Sequence, residues 1–324
     1  MDLEEISKAA TSLADIRDAD VVLCNAGMER PLDAHFIEMC NKAKRRKNVM
    51  LFLCTRGGDA GAAYRIARCL QEKYERFTIY ICGICKSAGT LVAVGAHEIV
   101  MSDFGEIGPL DVQLGKKDEI WENDSGLTVL NAISALEGKA FDLFEDCFLN
   151  LKRRSLGRIT LKTATDLAAK LATGTISPIL SQIDPMHVGE ASRAMNIGTE
   201  YGNRLIKKSK NANADTIRFL VHGYPDHGFV IDRSEAIDLF TNVRDLAEDE
   251  EFLVGLLGLA LRDQAPEPIL AYLSNSKNED QHETNHQGVN GEGPQEGSTG
   301  DGDFEKTDGA IAALQPEEGF RKIA

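Results

Sequence analysis

Apolar residues follow two regimes along this chain. Between Val21 and Met101 they come as short, nearly unbroken runs: Val21-Val22-Leu23-Cys24, Val49 to Cys54, Phe77 to Cys82 and Glu98 to Met101. A run without polar alternation predicts a strand buried on both faces. Between the runs, apolar positions recur at three and four, as in Leu32, Phe36, Cys40 and Ala43. That spacing predicts a helix from Leu32 to Lys44. The basic run Lys44-Arg45-Arg46-Lys47 follows, where a helix end favours positive charge. Further helices are predicted from Ala60 to about Tyr74 and from the Lys86-Ser87 turn to Ala96. Strand and helix alternate through short loops, which predicts an α/β fold with a parallel sheet covered on both sides.

The pattern changes after residue 125. Ile133, Leu136, Phe141, Phe144 and Phe148 keep helical spacing, as do Ala191, Met195, Tyr201, Leu205 and Ile206. Several helices beside the sheet are predicted up to about Leu220. Phe229-Val230-Ile231 predicts a short strand, Ser234 starts a helix, and Glu248 to Leu261 reads as a last amphipathic helix. Beyond about Asn275 the chain is rich in Gly, Asn, Gln, Glu and Asp. Such a segment buries too little apolar surface to offset the entropy of ordering. The expected division is a helical arm over 1–19, one domain over 20–262, and an acidic, largely disordered tail over 263–324.

Composition refines this only in places. Hydrophobic residues make up 43% and charged residues 27% of the 324, an ordinary globular balance. The net charge is −15, and the stretch from Asn275 onward contributes −7 of it. No basic face is evident, which argues against a nucleic-acid partner. Seven cysteines in mostly apolar surroundings read as reduced thiols, as in the cytoplasm. The acidic start Met-Asp-Leu-Glu-Glu is unlike a signal peptide. No run nears the ~20 apolar residues that span a bilayer, so no membrane insertion is expected.

The chemistry gathers in two strand-to-helix turns. In Arg56-Gly57-Gly58-Asp59, paired glycines permit a sharp turn and leave N–H groups uncovered. Uncovered N–H groups at a helix start are suited to a developing negative charge. In Lys86-Ser87-Ala88-Gly89-Thr90, a serine stands at the carboxyl edge of the predicted sheet, where such sheets place ligands. Taken alone, Ser87 also reads as a helix N-cap.

Here the chain resembles the Clp protease/crotonase superfamily, and within it the serine dehydrogenase proteinase family. The resemblance rests on Thr55-Arg56-Gly57-Gly58-Asp59, Cys85-Lys86-Ser87-Ala88-Gly89-Thr90-Leu91, the stretch Gly95 to Met101, Glu106-Ile107-Gly108-Pro109-Leu110-Asp111 and the stretch Tyr224 to Arg233. It spans about Val21 to Leu246, with Val112 where the family pattern leads to proline. It implies a Clp/crotonase-like parallel sheet of repeated ββα units flanked by helices, with a helical C-terminal half. It implies a serine peptidase acting on peptide or protein substrates, assembled as a homo-oligomer, with no cofactor or metal. Ser87 would be the nucleophile, and Gly57, Gly58 and Ala88 would form the oxyanion hole. Two alternatives stay open: a crotonase-like acyl-thioester enzyme, and a non-catalytic scaffold of the same fold.

The base is less defined. Lys139 lies 52 residues after Ser87, a spacing similar to the Ser–Lys dyad of signal peptide peptidase A. A lysine base must be neutral, which requires burial or a cationic neighbour. Asp111 stands where the Clp subunit has its histidine, and would orient a base or brace its own turn. His222 and His227 lie in a predicted loop, and His227 is the alternative base. Lys86 adjoins Ser87 but would point elsewhere. His97 reads as packed before a strand. Cys82-Gly83-Ile84-Cys85 lacks the second ligand pair of a zinc site and does not open a helix as a redox pair does.

Overall fold

The computed structural model describes residues 3–110, 113–115, 123–274 and 312–313, with the backbone alone for 113–115, 123–130 and 312–313. The chain starts with α1 (Leu3–Arg17), whose Ile6, Ala10, Leu13 and Ala14 are buried along one stripe. Then come β1 (Ala19–Asn25), α2 (Leu32–Ala43), β2 (Asn48–Cys54), α3 (Ala60–Lys73) and β3 (Phe77–Ile81). The short β4 (Ile84–Cys85) leads into α4 (Ala88–Val94), followed by β5 (Glu98–Met101) and β6 (Glu106–Ile107). Strands β1, β2, β3 and β5 lie side by side and parallel, in chain order. One row of partners runs Val22, Leu51, Ile79, Ile99.

Alternate residues of these strands feed two cores. Val22, Leu51, Ile79 and Ile99 meet Phe36 of α2, Ile66 and Leu70 of α3, and Leu91 of α4. Val21, Met50, Phe52, Tyr80 and Val100 face α1 and a later helix instead. Both faces are therefore covered, which is why the strands read as continuous apolar runs.

The second half supplies helices and both sheet edges. The short strands β7 (Gln113–Gly115) and β8 (Asn123–Ser125) form an antiparallel pair. They precede α5 (Gly126–Arg154), α6 (Leu161–Leu180), α7 (Pro185–Ser209), α8 (Ala214–His222) and α9 (Arg233–Leu239). Met195 and Leu205 of α7 reach the first core. Then β9 (Val243–Arg244) adds in parallel to β5. Next, α10 (Glu248–Leu257) and a 3-10 turn (Gly258–Leu261) cover the second face, with Leu253, Leu257 and Leu261 buried there. On the other side the strand β10 (Ile269–Tyr272) adds antiparallel to β1, and β11 (Ala312–Ala313) forms the edge, parallel beside β10.

Two sequence expectations are corrected here. Phe229-Val230-Ile231 forms no strand of its own, only a single antiparallel bridge from Ile231 to Ile107. Ordered structure also continues past residue 262. Leu270 and Ala271 of β10 are buried against β1, so the body of the sheet extends to Tyr272. The rest of the tail, 275–311 and 314–324, lies outside the described residues.

Beyond the carboxyl ends of the main strands, a second set of short pairings holds the loops together. Met28 bridges Gly58, Thr55 bridges Cys85, β4 pairs with β6, and Ile107 bridges Ile231. Both chemistry-bearing turns sit within this set.

Candidate active site

Ser87 occupies a backbone conformation that L-residues rarely adopt, with φ 51° and ψ −111°. Such a residue costs on the order of 1–3 kcal/mol and persists only where its surroundings over-determine it. A sharp strand-to-helix turn of this kind lifts a serine hydroxyl clear of the sheet. Ser87 stands in the N-cap position of α4, yet its side chain makes no cap hydrogen bond. The hydroxyl is thus not spent on the helix, and the residue is half-buried.

The residues after Ser87 explain how the turn is held. A Cβ on Gly89 would lie 2.4 Å from Thr55 Cγ2 and 2.9 Å from Cys85 Sγ, so only glycine lets α4 start this close to β2. Buried Thr90 accepts from Gly108 N–H at 3.2 Å. Its own Oγ1 lies 2.8 Å from Gly108 O and 3.2 Å from Cys85 O, the acceptors for its single proton. This hydroxyl therefore pins the Gly108-Pro109-Leu110 turn to α4. Leu110 N–H donates onward to Leu220 O at 2.8 Å.

The first turn packs directly on the second. Thr55 N–H donates to Ile84 O at 2.9 Å, and Lys86 N–H donates to Thr55 O at 3.0 Å. Gly57 has φ 112°, and a Cβ there would lie 2.9 Å from Ser87 Cβ. Gly58 has φ 137°, and a Cβ there would lie 2.6 Å from Met28 O. Gly57 O accepts from Met28 N–H at 2.7 Å, and Gly57 N–H donates to Thr55 Oγ1 at 3.1 Å. The sequence reading places Gly57, Gly58 and Ala88 together as oxyanion donors. Gly57 departs from that set, because its N–H already has a buried acceptor. The N–H groups of Gly58 and Ala88 have no acceptor among the described residues.

Arg56, which opens the first turn, is held by residues far along the chain. Its N–H donates to Gln264 Oε1 at 2.8 Å, and its guanidinium meets both Asp263 carboxylate oxygens at 2.8 and 2.9 Å. Asp59 caps α3, accepting from Ala62 N–H at 2.6 Å.

The candidate bases fall differently. Lys139 lies on α5, 76% exposed, with its ammonium 3.3 Å from Asp142. It does not have the burial a lysine base requires. Asp111 lies outside the described residues. His227 is half-buried. Its carbonyl lies 3.6 Å from the Cβ position of Gly108, so its segment adjoins the Ser87 turn. His222 is exposed at the end of α8. His97 lies elsewhere: its Nδ1 accepts from Phe77 N–H at 3.1 Å, and burial pushes its pKa down. Cys82 and Cys85 are buried free thiols, and burial pushes Cys82 up to about 12. Such thiols are inert rather than nucleophilic. Among the described residues no group of three or more His, Cys, Asp or Glu is arranged to hold a metal. Thr55 and Thr90 are the residues that sequence reasoning passed over. The available signal was one threonine beside each glycine-bearing turn.

Residues 35–178 match the model of a family described as ClpP-like SDH-type serine proteinase. The matched stretch contains both turns. Two curated relatives come from Methanocaldococcus jannaschii. Uncharacterized protein MJ1495 is 29% identical over 140 residues, which is 39% of this chain and 44% of the relative. Uncharacterized protein MJ0137 is 34% identical over 74 residues, which is 23% of this chain and 26% of the relative. The matches thus span less than half the length of either relative. Among solved structures, two variants of the 1510-N membrane-bound stomatin-specific protease align at 16% identity. One has a TM-score of 0.44 and covers 73% of this chain and 83% of its own. The other, in complex with a substrate peptide, has a TM-score of 0.43 and covers 72% and 77%. Among the described residues, no helix is long and apolar enough to cross a membrane.

Proposed function

With residues 35–178 matching a serine proteinase family, we propose that this protein is a serine peptidase with Ser87 as its nucleophile. The observation that carries this reading is the strained Ser87 turn, packed against Gly57 with its hydroxyl unspent. Ser87 Oγ attacks the carbonyl carbon of a peptide bond and gives up its proton. The tetrahedral oxyanion accepts hydrogen bonds from Gly58 and Ala88 N–H. Collapse expels the amine, which takes a proton, and leaves an acyl-enzyme on Ser87 that water then hydrolyses. Two fixed backbone donors suit this task because they need no reorganisation as charge develops.

Of the two described candidates for the serine proton, His227 lies on the segment beside the Ser87 turn, while Lys139 would have to leave the exposed position it shares with Asp142. Lys139→Ala and His227→Ala separate them, since the variant that loses turnover marks the base. The seven free cysteines support a reducing compartment, in keeping with the cytoplasm. Exposed Phe141, Leu156, Leu161 and Met186 in the α5–α7 region support a homo-oligomer, which light scattering checks as a multiple of the single-chain mass.

A fluorophosphonate probe tests the central claim. Wild type should label covalently, and Ser87→Ala should not. Absence of wild-type labelling, or equal labelling of the variant, leaves only the acyl-thioester and scaffold readings.

A further inference from the structure

Lys86 precedes the nucleophile, and none of its three ammonium donors is left over. Its Nζ lies 3.1 Å from Glu106 Oε1, 3.1 Å from Phe229 O and 3.4 Å from Ile107 O. A lysine ammonium has three donors, and these three acceptors match them. The side chain is only 14% exposed, and that of Glu106 26%. The stem is also confined, because a Cβ on Gly108 would lie 2.8 Å from Lys86 Cδ. The backbone of Lys86 is equally committed. Its N–H donates to Thr55 O at 3.0 Å, and its carbonyl accepts from Gly89 N–H at 2.8 Å.

We propose that Lys86 is a positioning residue that sets Ser87 by clamping its turn to β6 and to the 227–231 segment. The inference rests on the reading of Ser87 as nucleophile. A residue held at positive φ relaxes unless both of its flanks are fixed. On one side, α4 and Thr90 fix the chain. On the other, Lys86 is tied by its backbone to the oxyanion turn and by its side chain to two further segments. With all three donors occupied, Lys86 has none to offer substrate. Its removal therefore acts on the rate of the chemical step and not on binding.

Lys86→Met keeps the length of the stem and removes the donors. Displacement of a reacting group by about 1 Å costs up to about a hundredfold, so labelling by the fluorophosphonate and kcat should both fall at least tenfold. KM should stay within about twofold, because no ground-state contact is lost. Exchange of amide hydrogens over 84–91 should quicken while that of β1 and β2 is unchanged. Glu106→Gln is the milder variant, since its partly exposed side chain keeps its shape, and it should give a smaller loss in the same direction. The double variant should label no slower than Lys86→Met, because both changes open one clamp. A raised KM at unchanged kcat, strictly additive losses, or lower thermal stability with unchanged labelling would each overturn the inference. If wild type itself is not labelled, the nucleophile reading falls. The exchange experiment then decides alone whether Lys86 holds the turn, and unchanged exchange refutes that as well.

Discussion

Gly57 and Gly58 adjoin in sequence but are restricted to glycine for different reasons, and substitutions should tell them apart. At Gly57 a methyl group meets Ser87 Cβ at 2.9 Å, while at Gly58 it meets the Met28 carbonyl at 2.6 Å. Gly57→Ala therefore pushes on Ser87. The expected result is a loss of labelling of about a hundredfold, the scale of an ångström-sized misplacement, with a smaller effect on stability. Gly58→Ala pushes on backbone and must open the Met28 bridge, so thermal unfolding should fall alongside labelling, by about 1–3 kcal/mol. Thr90→Val removes the hydroxyl that serves both Gly108 N–H and Gly108 O. Each buried group left without a partner costs about 1–3 kcal/mol, which denaturant unfolding should show. Glycines and a small-residue helix start are visible in sequence, so both turns and the place of Ser87 at the start of α4 were legible there. The engagement of Gly57 N–H by Thr55 Oγ1 was not, since it depends on a rotamer rather than on residue type.

The four central strands were legible because burial on both faces leaves no polar alternation. The outer strands were not. The strands β9 and β10 have two and four residues, and no alternation of strand and helix surrounds them to mark so short a run, as it does for β5. Their hold on the fold comes from partners far away in sequence. Tyr272 of β10 shares a 2.7 Å hydrogen bond with Tyr74, which donates to Asp20 at 3.0 Å. Glu250 of α10 accepts from Tyr80 of β3 at 2.6 Å and from Arg244 of β9 at 2.7 and 2.8 Å. Burial pushes the Glu250 carboxyl up. The hydrogen bonds from Arg244, Tyr80 and Ala247 N–H outweigh it and hold the pKa below the usual range. A carboxylate depressed in the folded state adds stability above its unfolded pKa of about 4.3, and that stability is lost as pH falls through the lower folded value. Glu250→Gln should thus melt below wild type at neutral pH, with the gap narrowing in acid. Paired melting curves across pH check this.

At the scale of the whole molecule, the family match ends at residue 178, but the fold does not. Residues 243–272 supply α10, β9 and β10, which help cover one face and extend the sheet on both sides. A chain ended after Arg262, at the boundary drawn from the sequence, would lose β10 and the Asp263–Gln264 hold on Arg56. It should be poorly soluble or melt well below the full chain, and circular dichroism would show it. The boundary falls there because the last helix read from periodicity ends at Leu261. Four apolar residues beside a proline-containing loop were too small a signal to move it.

The grip of residues 260–265 also has a consequence in time. Asn25 donates to Ala260 O and Asp263 O and accepts from Ala265 N–H. A Cβ on Gly83 would strike Leu261 O and Arg262 O, and Arg56 is fastened to Asp263 and Gln264. A ribosome making this chain delivers Ser87 early and those fasteners late. Ser87 is thus made long before its surroundings are locked. A half-made copy, still tethered to its ribosome, lacks the residues that fasten Asn25, Gly83 and Arg56 in place.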